Sequence, residues 1–120
     1  MSIHPLRWPL ALTALTFALC AWSQDKPPLK ILVGFPPGGG TDAIARALAD
    51  KLKDVLVVPV IVENKPGAGG NLGADLIAKA APDGRTIVMG AVATHAINPW
   101  LFSRMPYDAL RDFTPIVGVA

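Results

Sequence analysis

Residues 29–42 read Leu-Lys-Ile-Leu-Val-Gly-Phe-Pro-Pro-Gly-Gly-Gly-Thr-Asp, and their character changes three times in that short span. The first seven, LKILVGF, have the length and branched content of a buried strand. Two prolines then stiffen the chain, and three glycines release it. From Thr41 onward the apolar residues Ile44, Leu48, Leu52 and Val55 recur at spacings of four, four and three. That spacing predicts one apolar helical stripe, with Arg46, Asp50, Lys51, Lys53 and Asp54 left for solvent. Arg46 and Asp50 are spaced for a weak surface ion pair. A strand, a glycine loop and a helix therefore follow one another directly.

The same unit then repeats in outline. Val57 to Val62 (VVPVIV) reads as a second buried strand, with Pro59 near its start or on a sheet edge. Glu63-Asn64-Lys65-Pro66 ends it, and a second glycine-rich loop, GAGGNLG (Gly67 to Gly73), follows. A helix is predicted through Ala74–Ala81, stopped by the turn Pro82-Asp83-Gly84. Thr86 to Val92 reads as a third strand, and Thr94 to Pro99 as one helical turn. After a turn at Pro106-Tyr107-Asp108, Phe113 to Ala120 reads as the beginning of a fourth strand. Strands alternating with helices imply an α/β fold with a parallel sheet and right-handed crossovers. In such sheets ligands sit beyond the carboxyl ends of the strands, which here means the loops 36–41, 66–71 and 93–98. The sequence stops on an apolar strand with no closing helix, and so reads as part of a domain.

Composition narrows the classes. Of the 120 residues 52% are apolar, and part of that excess lies at the start. Arg7 precedes the uncharged run WPLALTALTFALCAW, and Ala21-Trp22-Ser23 offers small side chains at a cleavage point. The run is shorter than the roughly 20 residues of a spanning helix, which favours a secretory signal over residues 1–23 rather than a membrane anchor. Cys20, the single cysteine, falls inside this signal, and its neighbours Phe17-Ala18-Leu19 do not suit a lipoprotein site. Residues 24–120 thus carry no thiol or disulfide chemistry. Without Arg7 the balance is 10 basic against 9 acidic residues. No basic stripe is present for nucleic acid and no polybasic surface for membranes.

Three chemistries compete for the glycine loops. Successive glycines ahead of a helix start can direct several backbone N–H groups at one place, where a carboxylate or phosphate fits. Asp42 suits the helix dipole, and Thr41 or Asp42 could cap. A tight strand-to-helix turn that binds nothing is the plain alternative, weakened by the presence of a second such loop. The nucleotide reading rests on Gly38-x-Gly40-x-x-Ala43, a formal match to the dinucleotide fingerprint, with Glu63 where a ribose-binding acid would sit. Pro36-Pro37 break the tight turn that fingerprint needs, and the export signal argues against a dinucleotide cofactor. No Gly-Lys-Ser/Thr is present for a P-loop. Catalysis is the weakest class. His95 is the one histidine beyond the signal, Ser103 the one serine beyond Ser23, and the aspartates are scattered. His95 therefore reads as a loop or packing residue, and neither metal nor cofactor is expected.

The segments ILVGFPPGGGTDAIARALADKL, VIVENKPGAGGNLGADLIAKAAPDGRTIVMG, THAINPWLF and MPYDALRDFTPIVGVA, in that order, resemble the tripartite tricarboxylate transporter receptor family, the Bug-type periplasmic solute-binding proteins. The resemblance covers nearly all of residues 29–120. It implies two α/β lobes in the type II periplasmic-binding-protein arrangement, a small carboxylated solute held between them, and delivery to membrane permease subunits. It implies a non-enzymatic, periplasmic protein. By the same resemblance Pro37, Gly38, Gly39, Gly40, Thr41 and Asp42 match the segment that faces the ligand carboxylate. Gly69, Gly70 and Asn71, with Thr94, His95 and Ala96, match further cleft-lining segments. Such receptors are roughly twice this length or more, given the usual domain size. Residues 24–120 are thus expected to form part of the first lobe, with the second lobe absent.

Overall fold

The computed structural model describes residues 26–119. The signal read over residues 1–23 lies outside the described residues. In chain order the elements are β1 (Leu29–Val33), α1 (Gly40–Leu56), β2 (Val60–Asn64), a 3-10 turn (Ala68–Gly70), α2 (Asn71–Ala78), β3 (Thr86–Met89), a π-helical turn (Ala93–Ile97) and α3 (Asn98–Leu101). The strands form one parallel sheet in the order β2-β1-β3. Leu29 lies opposite Val60 and Val33 opposite Asn64 on one side. On the other, Lys30 lies opposite Thr86 and Val33 opposite Met89.

The central position of β1 explains its sequence. A strand paired on both sides and covered on its faces reads as a continuous apolar run rather than an alternation, and Ile31, Leu32 and Val33 are all buried. Ile31 and Val33 join Ala45, Ala49 and Met89 in the core, against which Leu48, Leu52, Val60, Val62 and Ile87 pack. The side of α1 that meets the sheet is therefore built on Ala45 and Ala49, with Leu48 and Leu52 flanking. Ile44 and Val55, expected in the buried stripe, are 41% and 76% exposed. Small residues let the helix axis approach the strands closely, which rotates the contact face away from Ile44.

Several boundaries also differ from the sequence reading. Val57 does not open β2; it closes α1 in the left-handed conformation (φ 52), its N–H bonded to Lys53 O at 3.1 Å. β2 accordingly starts after Pro59, on a sheet edge where a missing N–H is tolerated. α2 begins at Asn71, so Gly73 is a helical residue rather than part of a loop. Residues 113–119 form no strand. Only Phe113 of that segment is held, edge-on to His95 and Tyr107, and without a partner strand Ile116 and Val117 stay exposed. Arg46 pairs with Asp42 at 2.9 Å instead of Asp50. Among the described residues no helix is long and apolar enough to cross a membrane.

Candidate functional site

The loops that follow the three strands leave the sheet at its carboxyl ends, and they meet at Gly70. A side chain placed there would come within 2.7 Å of Thr94 Cγ2 from the third loop and 3.0 Å of Phe35 Cζ from the first. Gly70 also has φ 92, so both space and backbone conformation require glycine. Beneath it, Gly73 of α2 lies on Gly34, with room for no Cβ: one would reach 2.8 Å from Gly34 Cα.

The first loop is organised by Asp42. Its Oδ2 accepts hydrogen bonds from the Gly38 N–H (2.9 Å) and Arg46 Nε (2.9 Å), and its Oδ1 accepts one from Asn64 Nδ2 (2.8 Å). Asn64 Nδ2 also reaches Phe35 O at 3.1 Å, and its Oδ1 accepts from Arg46 Nη2 at 3.1 Å. Asp42 is thus buried with both oxygens engaged. The Arg46 hydrogen bond, then the Gly38 N–H and the Asn64 amide, hold its carboxyl far below the usual carboxylate range. The N-cap position itself is Gly39, with no side-chain cap. The N–H groups of Gly40, Thr41 and Asp42 precede the first bond of the helical ladder, from Ala43 N–H to Gly39 O at 3.0 Å. The start of α1 therefore presents backbone donors and the positive end of a helix dipole together.

The second and third loops are built differently. The Gly70 N–H is committed to Gly67 O, the Asn71 N–H to Ala68 O, and the Thr94 and His95 N–H groups to Ala91 O. Here buried side chains do the joining. Asn98 Nδ2 donates to Gly69 O (3.1 Å) and to Asn71 Oδ1 (2.6 Å). The Tyr107 hydroxyl lies 2.9 Å from Asn71 Oδ1 and 2.7 Å from Thr94 O. Burial, and secondarily the charge of Asp75, push the Tyr107 phenol pKa up. Thr94 Oγ1 donates to Ala91 O at 3.0 Å, accepts from the Ala91 N–H at 3.2 Å, and lies 2.8 Å from His95 Nδ1. With Nδ1 protonated, all three contacts of that hydroxyl are satisfied and Nε2 becomes an acceptor.

The residues read from sequence thus fall into two groups. Pro37, Gly38, Gly39, Gly40, Gly69 and Ala96 are exposed, and Thr41 and His95 half-buried. Asp42, Gly70, Asn71 and Thr94 are buried and hold the loops together. Asn64, Asn98 and Tyr107 complete that inner framework and were not among the residues singled out from sequence. Asn64 directly follows Glu63, the acid that the nucleotide reading required. Glu63 faces Lys30 at 3.3 Å and Lys65 at 3.8 Å, so its carboxylate is already paired with cations. Of two recesses, one borders the second loop at Ala68 and Asn71 and the other lies away from the loops. The first, of about 210 Å³, also touches Asp75 and Phe102, and the second, of about 290 Å³, lies near Leu29 and Arg85 at the opposite end of the sheet. Among the described residues no group of His, Cys, Asp and Glu could hold a metal ion.

The comparisons with known proteins agree with this architecture. Residues 44–120 match the family model described as Tripartite tricarboxylate transporter family receptor. BugT of Bordetella pertussis is 44% identical over 90 residues, which cover 74% of this chain and 28% of that protein. MatC from Rhodopseudomonas palustris, solved with bound malate, superposes with a TM-score of 0.71 at 40% identity, over 73% of this chain and 30% of that one. A second R. palustris protein, solved with adipate, gives 0.66 at 31% identity, over 73% and 29%. The chain spans between 27% and 33% of the length of the curated relatives it matches. Its parallel α/β sheet corresponds to part of a periplasmic-binding-protein lobe. With these strands, these paired glycine loops and the match through its last residue, the chain belongs to the tripartite tricarboxylate transporter receptor family.

Proposed function

We propose that this chain supplies a carboxylate-binding wall of a periplasmic solute receptor, which captures a small organic acid and hands it to the permease subunits of a tripartite carrier. The observation that carries the reading is the meeting of three strand-to-helix loops at Gly70, the first of which runs on into the amide-bearing start of α1. Gly40 and Thr41 would hold one carboxylate group through backbone N–H donors. Gly38 and Gly39, without side chains, let the ligand approach, and Pro37 limits the loop's freedom. Gly69, His95 and Ala96 would line the adjoining surface. Asp42, Gly70, Asn71 and Thr94 act from behind, as the framework that aims these groups. A wall of this kind uses no lysine or arginine at the contact itself, and such a site releases its solute readily, as transport demands. The malate and adipate carried by the two R. palustris proteins point to small dicarboxylates as the solute class.

Export over residues 1–23 and a periplasmic location complete the proposal. A reporter active only outside the cytoplasm, fused to residues 1–30, should give signal. The binding claim is tested by titrating the isotope-labelled chain with malate, adipate and NAD at millimolar concentration. Amide shifts at Gly39–Thr41, Gly69 and His95 with either acid, while Gly84 and Arg85 stay unmoved, are the expected result. No shift with either acid, or a response to NAD instead, would refute the carboxylate reading.

A further inference from the structure

The π-helical turn Ala93–Ile97 carries bonds that reach back five residues, as from the Asn98 N–H to Ala93 O. The next bond of that ladder would run from residue 99 to Thr94 O. Residue 99 is proline and has no N–H to give. Thr94 is 4% exposed, so water is a poor substitute, and a buried carbonyl without a donor is costly. The group that reaches it is the Tyr107 hydroxyl, at 2.7 Å. The same hydroxyl lies 2.9 Å from Asn71 Oδ1, so one proton faces two acceptors on two different loops. The ring has little freedom to leave, because it stands edge-on to Phe113 at 5.4 Å and tilted against His95 at 6.4 Å.

We propose that Tyr107 is the positioning residue of the cleft wall: its hydroxyl proton, shared between Thr94 O and Asn71 Oδ1, stands in for the backbone donor that Pro99 withholds and ties the third loop to the start of α2. The chain's own sequence thus creates a vacant acceptor and fills it from eight residues beyond the proline. The consequence for the site is a fixed separation between His95, next to Thr94, and Gly69, next to Gly70. That consequence rests on the carboxylate-binding reading, whereas the hydrogen-bond role does not.

Tyr107→Phe keeps the ring and removes only the hydroxyl. Amide hydrogen exchange in the ligand-free chain should then quicken about tenfold at Asn71 and Asn98, the size expected for losing one buried hydrogen bond. The Lys65 amide, bonded to Val33 O across the sheet end, should be unchanged. Pro99→Ala restores a backbone N–H for Thr94 O, so Y107F in the P99A background should accelerate Asn98 by less than about twofold. Unchanged exchange at Asn71 and Asn98 overturns the assignment. Equal acceleration at Lys65 reduces Tyr107 to general packing and overturns it as well, as does a P99A background that gives no relief. Should Y107F not fold, P99A/Y107F regains the fold under this assignment, and an equally unfolded double variant refutes it. A malate titration of both proteins is read separately: wild type that binds no malate defeats the carboxylate reading and leaves the exchange result to decide the role of Tyr107. Where wild type binds, Y107F should bind several-fold more weakly, and unchanged affinity would remove the positioning role.

Discussion

Gly34→Ala should be among the most damaging single-methyl changes in this chain, for a reason that can be worked through atom by atom. A Cβ at Gly34 would lie 2.7 Å from Gly70 O, 3.1 Å from Gly70 Cα and 3.3 Å from Gly70 C. Non-bonded heavy atoms prefer about 3.5 Å or more, so relief requires a shift of roughly 0.5–1 Å. Every clashing atom belongs to the backbone of the second loop, so no side chain can swing aside. That loop is backed by Phe35 and Thr94 at Gly70, and any movement strains the bonds from Asn98 to Gly69 O and Asn71. Overpacking costs about 1–3 kcal/mol, and weakening one or two of those bonds adds about 1 kcal/mol. A loss near 3 kcal/mol is therefore expected. Gly40→Ala is the matched control, since nothing lies within 4 Å of a Cβ there and the residue is already helical. It should stabilise by about 0.4–1 kcal/mol through the unfolded chain. Urea denaturation reads both, as shifted midpoints at constant slope. If G34A falls within about 0.5 kcal/mol of wild type, or if G40A is equally destabilised, the close-contact reasoning fails.

Other changes test the remaining framework. Asn64→Ala removes donors to Phe35 O and Asp42 and an acceptor for Arg46, and should cost about 1–3 kcal/mol in the same denaturation assay. Val57→Gly relieves a left-handed β-branched residue that is 73% exposed, and should raise the melting temperature by an amount equivalent to about 1 kcal/mol. The Asp42 carboxyl titrates lower in the folded chain than in the unfolded one, because the Arg46, Gly38 and Asn64 hydrogen bonds favour its charged form. Its stabilisation is therefore complete above the ordinary carboxylate range and lost as pH falls below about 4. Stability measured against pH should drop there in wild type and lose that component in Asp42→Asn.

The parallel α/β class was legible because β1 is central: an uninterrupted apolar run such as ILV between Lys30 and Gly34 has few other homes. The glycine loops were legible for a related reason, since PGGG and GAGG at strand ends mark places where the backbone turns through conformations open mainly to glycine. The inner framework was not. Asn98 and Tyr107 act on Asn71 from 27 and 36 residues away, and no local pattern signals a partner at that separation. The signal that could have exposed Tyr107 is Pro99, which removes a donor at a position the helical reading had already assigned. Periodicity misplaced the buried face of α1 because hydropathy ranks Ile44 above Ala45, whereas close packing against a sheet rewards the smaller residue. The fourth strand failed for a different reason: branched content at Ile116 and Val117 describes a propensity, and a strand needs a neighbour to bond with.

The strand order also has a consequence for how the chain folds as it is made. β1 emerges first, yet both of its pairing edges are filled by residues that come 31 and 56 positions later, as the pairings of Leu29 with Val60 and Lys30 with Thr86 require. Until Met89 has been synthesised, the most deeply buried strand of the described chain stays unpaired on at least one side. Local helix formation in α1 cannot relieve this, because α1 needs the finished sheet to cover Ala45 and Ala49. Long-range parallel pairing of this kind folds slowly and leaves sticky edges open meanwhile. The nascent protein should thus bind a holdase chaperone through residues 29–35, and release should coincide with completion of β3.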